Sequence, residues 1–364
     1  MRSVIMTFTS VPSPILVTGG AGFIGANFVH RAVKAGTRVV TLDALNYAGN
    51  RASLASLAGH PNHTFVHGSI NDRPLVDHLL QRYLPQAVVN FAAETHVDRS
   101  IDDPAPFVET NLVGTFTLLE AARAHLRALP STEAESFRLL HVSTDEVYGS
   151  IAEGRFTENS PFQPSSPHAA TKAGADALVL AYHRTYGLPT LITNGCNSYG
   201  PYQFPEKLVP LMILNCLAEA PLPLYGDGAH VREWLHASDH CAAIAAVLAQ
   251  GRPGETYNVS GSVQCTNREI VTTICAIFDK LRPRKSGKPH AELIVHVADR
   301  PGHDRRYAID SGKLTSELGW RPEIALADGL EQTARWYVTN AAWWRETHRR
   351  YRGQRLGLGH AVTS

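Results

Sequence analysis

The apolar run Leu139-Leu140-His141-Val142-Ser143 reads as a buried strand and ends in Thr144-Asp145-Glu146. Two adjacent carboxyls at a strand end can divide labour as general acid and general base, provided their surroundings hold their pKa values apart. Further on, His168 precedes Lys172 by four residues, which on a helix sets an ammonium one turn beyond a proton-handling group. Together these residues point to dehydration chemistry. On residue types alone a plainer reading competes, in which Asp145 and Glu146 only cap a helix and complement its dipole.

Such residues need a scaffold. Ile15-Leu16-Val17 runs through glycines into Phe23 to Ala35 and on to Arg38-Val39-Val40-Thr41-Leu42-Asp43, the pattern of strand, turn, helix and strand. Further apolar runs at Phe65-Val66, Ala87 to Phe91, Leu139 to Val142 and Thr190 to Ile192 alternate with helical stretches. This predicts an α/β fold with a doubly wound parallel (Rossmann) sheet. Gly19-Gly20-Ala21-Gly22-Phe23-Ile24-Gly25 fills the first turn, where glycines let a pyrophosphate approach the helix N-terminus. Asp43 ends the second strand about 20 residues on, suited to accept from the adenosine ribose hydroxyls and to repel a 2′-phosphate. NAD is favoured over NADP.

At 364 residues, 44% hydrophobic and 18% charged, the chain can bury a full core and divide into two lobes. A net charge of +1 supplies no field for nucleic acid or an anionic membrane, so the expected partner is a small molecule. The five cysteines form no CxxC pair, which argues against a disulfide framework and a zinc site, so no metal is expected and the cytoplasm is the expected compartment. No segment approaches the roughly 20 apolar residues needed to span a bilayer. Residues 13–200 are expected to form the cofactor domain, completed by about 237–262. After Tyr199-Gly200-Pro201 the pattern turns proline-rich (Pro201, Pro205, Pro210, Pro221, Pro223), predicting a smaller C-terminal lobe of shorter elements from 201–236 and 263–345. Pro130 to Ser136 reads as a loop tip, Arg282 to Pro289 as a basic loop, and residues 1–12 and 353–364 as flexible tails.

With Thr18 to Gly25, Asn90-Phe91-Ala92-Ala93-Glu94-Thr95-His96-Val97-Asp98-Arg99-Ser100 and Ser143 to Gly149, the chain resembles the extended short-chain dehydrogenase/reductases. Within them it is most similar to the dTDP-glucose 4,6-dehydratases. The likeness continues through Asn159-Ser160-Pro161, Tyr199 to Leu208, Tyr225-Gly226-Asp227-Gly228, Arg232-Glu233-Trp234 and Arg300 to Tyr307, nearly the whole chain. The resemblance implies an NAD-dependent hydro-lyase acting on a nucleotide sugar held by the C-terminal lobe.

By matching position, the cofactor contacts would be Gly19, Gly22, Phe23, Ile24, Gly25, Asp43, Ala44, Leu45, Asn46, Ser69, Ile70, Phe91, Ala92, Ala93, Thr95, Thr110, Lys172 and Ser198. The nucleotide sugar would meet Thr95, Thr144, Asn197, Lys207, Leu208, Pro223, Leu224, Tyr225, Arg232, Asn267, Arg300 and His303, with the two arginines able to fork onto a diphosphate. The implied catalytic set is Thr144, Asp145, Glu146, His168 and Lys172. Glu146 would remove the C5 proton, and protonated Asp145 would donate to the departing C6 hydroxyl. The family carries YxxxK where this chain has His168 to Lys172. Imidazole, with an unperturbed pKa of about 6.5, is largely a neutral base at pH 7 and could take the C4 hydroxyl proton instead of a phenolate.

Ser69 stands where the family usually has aspartate, Gly195-Cys196 and Ser198 alter the run before Tyr199, and His236 follows Leu235 where tyrosine is common. These point to a specialised relative making a deoxysugar. The alternatives are a nucleotide-sugar epimerase, a non-reducing dehydratase variant, and a catalytically weakened NAD-binding homologue. The resemblance also implies a homodimer, paired through the helices matching Thr110 to Ala124 and His168 to Tyr186.

Overall fold

In the computed structural model, which describes residues 8–261, 263–350 and 356, the short apolar runs become strands. They are β1 (Ile15–Thr18), β2 (Val39–Asp43), β3 (His63–His67), β4 (Ala87–Asn90), β5 (Arg138–Thr144), β6 (Thr190–Gly195), β7 (Asn197–Tyr199), β8 (Leu222–Tyr225), β9 (Val231–His236), β10 (Thr256–Val259), β11 (Gln264–Thr266) and β12 (Ile294–Val297). Every residue of β1, β2, β4 and β6 is buried, as strands covered on both faces require. Seven strands form one parallel sheet in the order β10-β6-β5-β4-β1-β2-β3. The doubly wound α/β class is as the periodicity predicts.

Helix Phe23–Lys34 packs Phe28, Val29 and Val33 against one face beside Ile244 and Val247 of helix Ala237–Gln250. The other face is covered by Leu79 and Leu80, by Leu118 and Leu119 of helix Thr115–Ala128, and by Val179 of helix Pro167–Tyr186. A third cluster, with Met212, Ile213, Ile274, Phe278 and Tyr337, belongs to the C-terminal elements. Their strands are short, in sheets β11-β9-β7 and β12-β8, but the helices Leu208–Ala218, Asn267–Leu281 and Leu326–Thr339 run to 11, 15 and 14 residues. The expectation of short elements therefore fails for the helices. Pro210 did not prevent one, because it falls in a first turn, where the missing N–H has no intrahelical partner to lose.

Two smaller expectations are also corrected. Phe8 and Val11, assigned to a flexible leader, are buried, with the Phe8 ring 5.3 Å from that of Phe28 and Arg31 over its face. Burial of two apolar side chains offsets the ordering of so short a segment. The Pro130 to Ser136 loop tip holds a short helix, Ser131–Ser136, none of it buried. The tail assignments at 1–7 and 353–364, Leu356 aside, lie outside the described residues. Among the described residues no helix is long and apolar enough to cross a membrane.

Candidate active site

The helices that follow β1 and β4 cover opposite faces of the sheet, so a crevice opens at the strand ends between them. Its floor is glycine by necessity. Gly19 has φ +69, and a Cβ there would lie 2.5 Å from the Ala92 nitrogen, while a Cβ on Gly25 would strike the Gly19 carbonyl oxygen. Gly22 begins helix Phe23–Lys34 without a side-chain cap, leaving the first-turn N–H groups for an anion. Asp43 accepts from the Ala21 and Leu45 N–H groups at 2.8 Å each, while burial pushes its pKa up.

Every cofactor position carried over by resemblance lines this cleft except Leu45, which sits at φ 51 and acts through its backbone N–H. An uncapped helix end, a glycine floor and an acceptor carboxylate at the second strand fit a dinucleotide. Gly195, Cys196, Gln203, Glu206 and His240 also line the cleft and were not singled out as site residues from the sequence. Gln203 and Glu206 fell inside a quoted motif, which was the available signal. His240, a single imidazole in an apolar helix, gave none, yet its Nδ1 lies 2.8 Å from the Ser198 hydroxyl.

The Asp-Glu pair occupies the short 3₁₀ helix Asp145–Tyr148 after β5. Thr144, not a carboxyl, caps it by accepting from the Glu146 N–H at 3.3 Å. Both carboxyls are thereby left for other work. Asp145 is buried, with Oδ2 lacking a hydrogen-bond partner among the described residues, and it does not line the cleft. Burial first, then the charges of Glu146 and Glu233, push its pKa well up. Glu146 lines the cleft, with Oε2 3.3 Å from His168 Nδ1. Burial alone would raise its pKa, but the hydrogen bond and charge of His168, with Arg300 and Lys207, bring it down to about 2. Neighbouring carboxyls driven in opposite directions suit one acid and one base.

Ser166 caps helix Pro167–Tyr186 by accepting from the Ala169 N–H at 3.1 Å, with Pro167 first in the helix. This sets His168 in the first turn, where its N–H donates to Ser100 Oγ at 3.2 Å and Phe107 meets its ring edge-on. Lys172 follows one turn later and donates from Nζ to the Val142 carbonyl at 2.7 Å.

The residues carried over for the sugar nucleotide divide. Thr95, Thr144, Asn197 and Lys207 line the cleft, and Lys207 donates to the Thr95 carbonyl at 2.8 Å. Leu208, Pro223, Leu224, Tyr225, Arg232, Asn267, Arg300 and His303 do not. The Leu224 side chain points with Leu222 into the core while Pro223 and Tyr225 take the other face of β8, so Leu224 could offer a ligand only its backbone. Leu208 and Asn267 begin their helices. Arg300 is bound to Asp98 at 2.6 Å, and the Tyr225 hydroxyl donates to the same carboxylate at 3.1 Å. Arg232 donates to the Val231 and Asp304 carbonyls at 2.8 Å and lies 4.2 Å from the Tyr307 ring centroid. Arg232 is not an open fork, because a buried guanidinium must find acceptors within the protein, whereas Arg300 spends one nitrogen on Asp98 and its Nε has no hydrogen-bond partner among the described residues. His303 Nδ1 meets Asp299 at 2.6 Å, and its ring stacks 3.7 Å from that of His230. Donor atoms of His230, Asp299 and His303 lie within 4.8 Å of one another, a trio not foreseen from the sequence.

Next to Arg232, Glu233 is wholly buried and pairs with Arg155 at 2.5 Å. Its second oxygen accepts from Ser260 and the Ile309 N–H. Arg155→Met is expected to cost about 3 kcal/mol, measured by urea unfolding, because it strands a buried charge that retains only the neutral donors of Ser260, Ile309 and, at 3.5 Å, Gln264.

Residues 16–333 match the family model described as GDP-mannose 4,6 dehydratase. A dTDP-glucose 4,6-dehydratase of Xanthomonas campestris pv. campestris (strain B100) is 59% identical over 329 residues, 90% of this chain and 94% of that protein. One from Neisseria meningitidis serogroup B (strain ATCC BAA-335 / MC58) is 50% identical over 352 residues, 95% of this chain and 99% of that one. The crystal structure of DesIV, the dTDP-glucose 4,6-dehydratase of Streptomyces venezuelae with NAD and dTDP bound, superposes with a TM-score of 0.82 at 50% identity, covering 92% of this chain and 99% of that one. With the same sheet, glycine turn and carboxyl pair in place, this chain belongs to the dTDP-glucose 4,6-dehydratase family of extended short-chain dehydrogenase/reductases.

Proposed function

We propose that the protein is an NAD-dependent hydro-lyase that converts dTDP-glucose to its 4-keto-6-deoxy derivative. The observation that carries the reading is the Asp145–Glu146 pair, whose pKa values are driven apart beside a dinucleotide cleft. NAD, when bound, supplies the hydride acceptor for C4 and the donor for C6. The glycine turn and the helix end at Phe23 hold its pyrophosphate, and Asp43 meets the adenosine ribose. His168 takes the C4 hydroxyl proton. The resulting ketone acidifies C5, whose proton goes to Glu146, and Asp145 gives its proton to the C6 hydroxyl as it leaves as water. Arg300, Arg232 and Lys207 face the diphosphate side, the arginines exchanging their present partners for the anion.

The active form is a homodimer. Val113, Phe116 and Tyr186 are 39%, 47% and 47% exposed on the segments carried over as the pairing helices, an apolar face that a second copy would cover. We place the enzyme in the cytoplasm, where its five free cysteines suit a reducing milieu.

The test is mass spectrometry of the product formed from dTDP-glucose and NAD in deuterated water. Loss of one water with one deuterium gained is the expected result. An isomer of unchanged mass, apart from any exchanged deuterium, would make the protein an epimerase, and binding without turnover would overturn the assignment.

A further inference from the structure

Beneath the catalytic residues a polar ladder crosses an otherwise apolar sheet. Thr18 of β1, Asn90 of β4 and His141 of β5 stand in register on adjacent strands, as do Ser143 of β5 and Asn194 of β6. Asn90 Oδ1 accepts from the Ala92 N–H at 3.2 Å and from the Thr18 hydroxyl at 2.6 Å. A backbone N–H can only donate, so the orientation of the amide follows, and Asn90 Nδ2 must donate to His141 Nδ1 at 3.0 Å. His141 then carries its proton on Nε2. That N–H faces Lys172 Nζ at 3.1 Å and Asp176 Oδ1 at 3.5 Å. Asp176 Oδ2 is occupied by Ser143 Oγ at 2.8 Å and Asn194 Nδ2 at 3.1 Å.

An ammonium presents only donors, so a charged Lys172 would meet the His141 N–H donor to donor at hydrogen-bond distance. A neutral amine has one lone pair to accept it and an N–H left for Val142. We propose that His141 is a positioning residue that disfavours the ammonium form of Lys172 beside His168, with Asp176 as the counter-charge that limits the shift. Burial works in the same direction, bringing the Lys172 pKa down to about 8 although the Asp176 charge opposes it.

The consequence rests on the assignment of His168 as the C4 base. A phenolate that takes a proton loses negative charge, and a neighbouring cation favours the phenolate. Imidazole that takes a proton becomes a cation, and a permanent ammonium one turn away opposes it. A lysine whose charge is disfavoured weakens that opposition, and the Glu146 carboxylate lies 3.3 Å from the imidazole on the other side. The titratable groups that face Lys172 are His141 on β5 and Asp176 on its own helix, with His168 one turn back and Glu146 lining the same cleft.

The chain has seven lysines, so holoenzyme labelled with ε-¹³C-lysine gives few resonances, and Lys172→Arg identifies the one sought. Its titration is expected near pH 8, more than two units below an ordinary lysine. His141→Asn keeps an acceptor for Asn90 but deletes the Nε2–H, and should move the midpoint up by about one unit. Asp176→Asn deletes the counter-charge and should move it down. A wild-type midpoint in the ordinary lysine range would overturn the inference even if neither variant folds, as would two variants that leave it unmoved. The titration needs no turnover, so an inactive His168→Phe enzyme with an unchanged Lys172 midpoint would separate the lysine state from the role of His168.

Discussion

Replacing Glu146 with glutamine is expected to lower turnover by roughly 10³-fold, the usual scale for losing a general base, while reduced cofactor accumulates on mixing with dTDP-glucose. Glutamine preserves the shape and can still hydrogen-bond His168, but it cannot take the C5 proton. The reaction should therefore halt at the ketone, and stopped-flow absorbance of the nicotinamide would show a single uncompleted rise. No rise at all would mean that Glu146 is needed earlier, as the partner of His168 in the first step. The pH dependence follows from the same pair. Glu146, held at about 2, stays a carboxylate across the working range and sets no acid limb there. Asp145, pushed well up by burial and its acidic neighbours, must be protonated to act, so activity is expected to fall as pH rises through its pKa.

The second large effect is expected at His168. His168→Ala removes the group that takes the C4 proton and should slow oxidation by roughly 10²- to 10³-fold, with no reduced cofactor seen. The two variants thus fail on opposite sides of the ketone, which a merely structural defect would not do. Normal turnover by His168→Ala would show that water or Lys172 takes the proton. His168 is buried, so the variant's thermal midpoint and NAD content should be checked against wild type to separate lost chemistry from lost packing.

Much of this was legible in the residues. The glycines from Gly19 to Gly25 and the carboxylate of Asp43 announce a cofactor turn because their spacing is local, set by one strand, one turn and one helix. The parallel sheet was legible for a similar reason, since strands buried on both faces must be apolar throughout. The sugar end was not. Asp98 and Arg300 lie 202 positions apart, and only the folded chain brings them to 2.6 Å. Arg232 likewise spends its donors on carbonyls that no motif reveals. The burial of the Leu224 side chain was not legible, because a carried-over position names a residue but not its face, and in a strand adjacent residues point oppositely. The ladder from Thr18 to His141 escaped notice because each member is an ordinary residue in its own strand, and its meaning appears only across the sheet.

The return of β10 to the edge of the main sheet bears on how the protein is made. The nucleotide-binding layer is not finished when the chain has passed β6, because its last strand is Thr256–Val259, some sixty residues further on. On a ribosome adding roughly 5–20 residues per second, β6 is an open edge for about 3–12 s, apolar and ready to pair with any extended neighbour. The intervening segment, which carries Lys207 and Arg232, must be threaded out and back before that edge closes. An excised first half ending near residue 200 would carry the same exposed edge permanently, and aggregation rather than a free-standing cofactor module is what such a fragment would deliver.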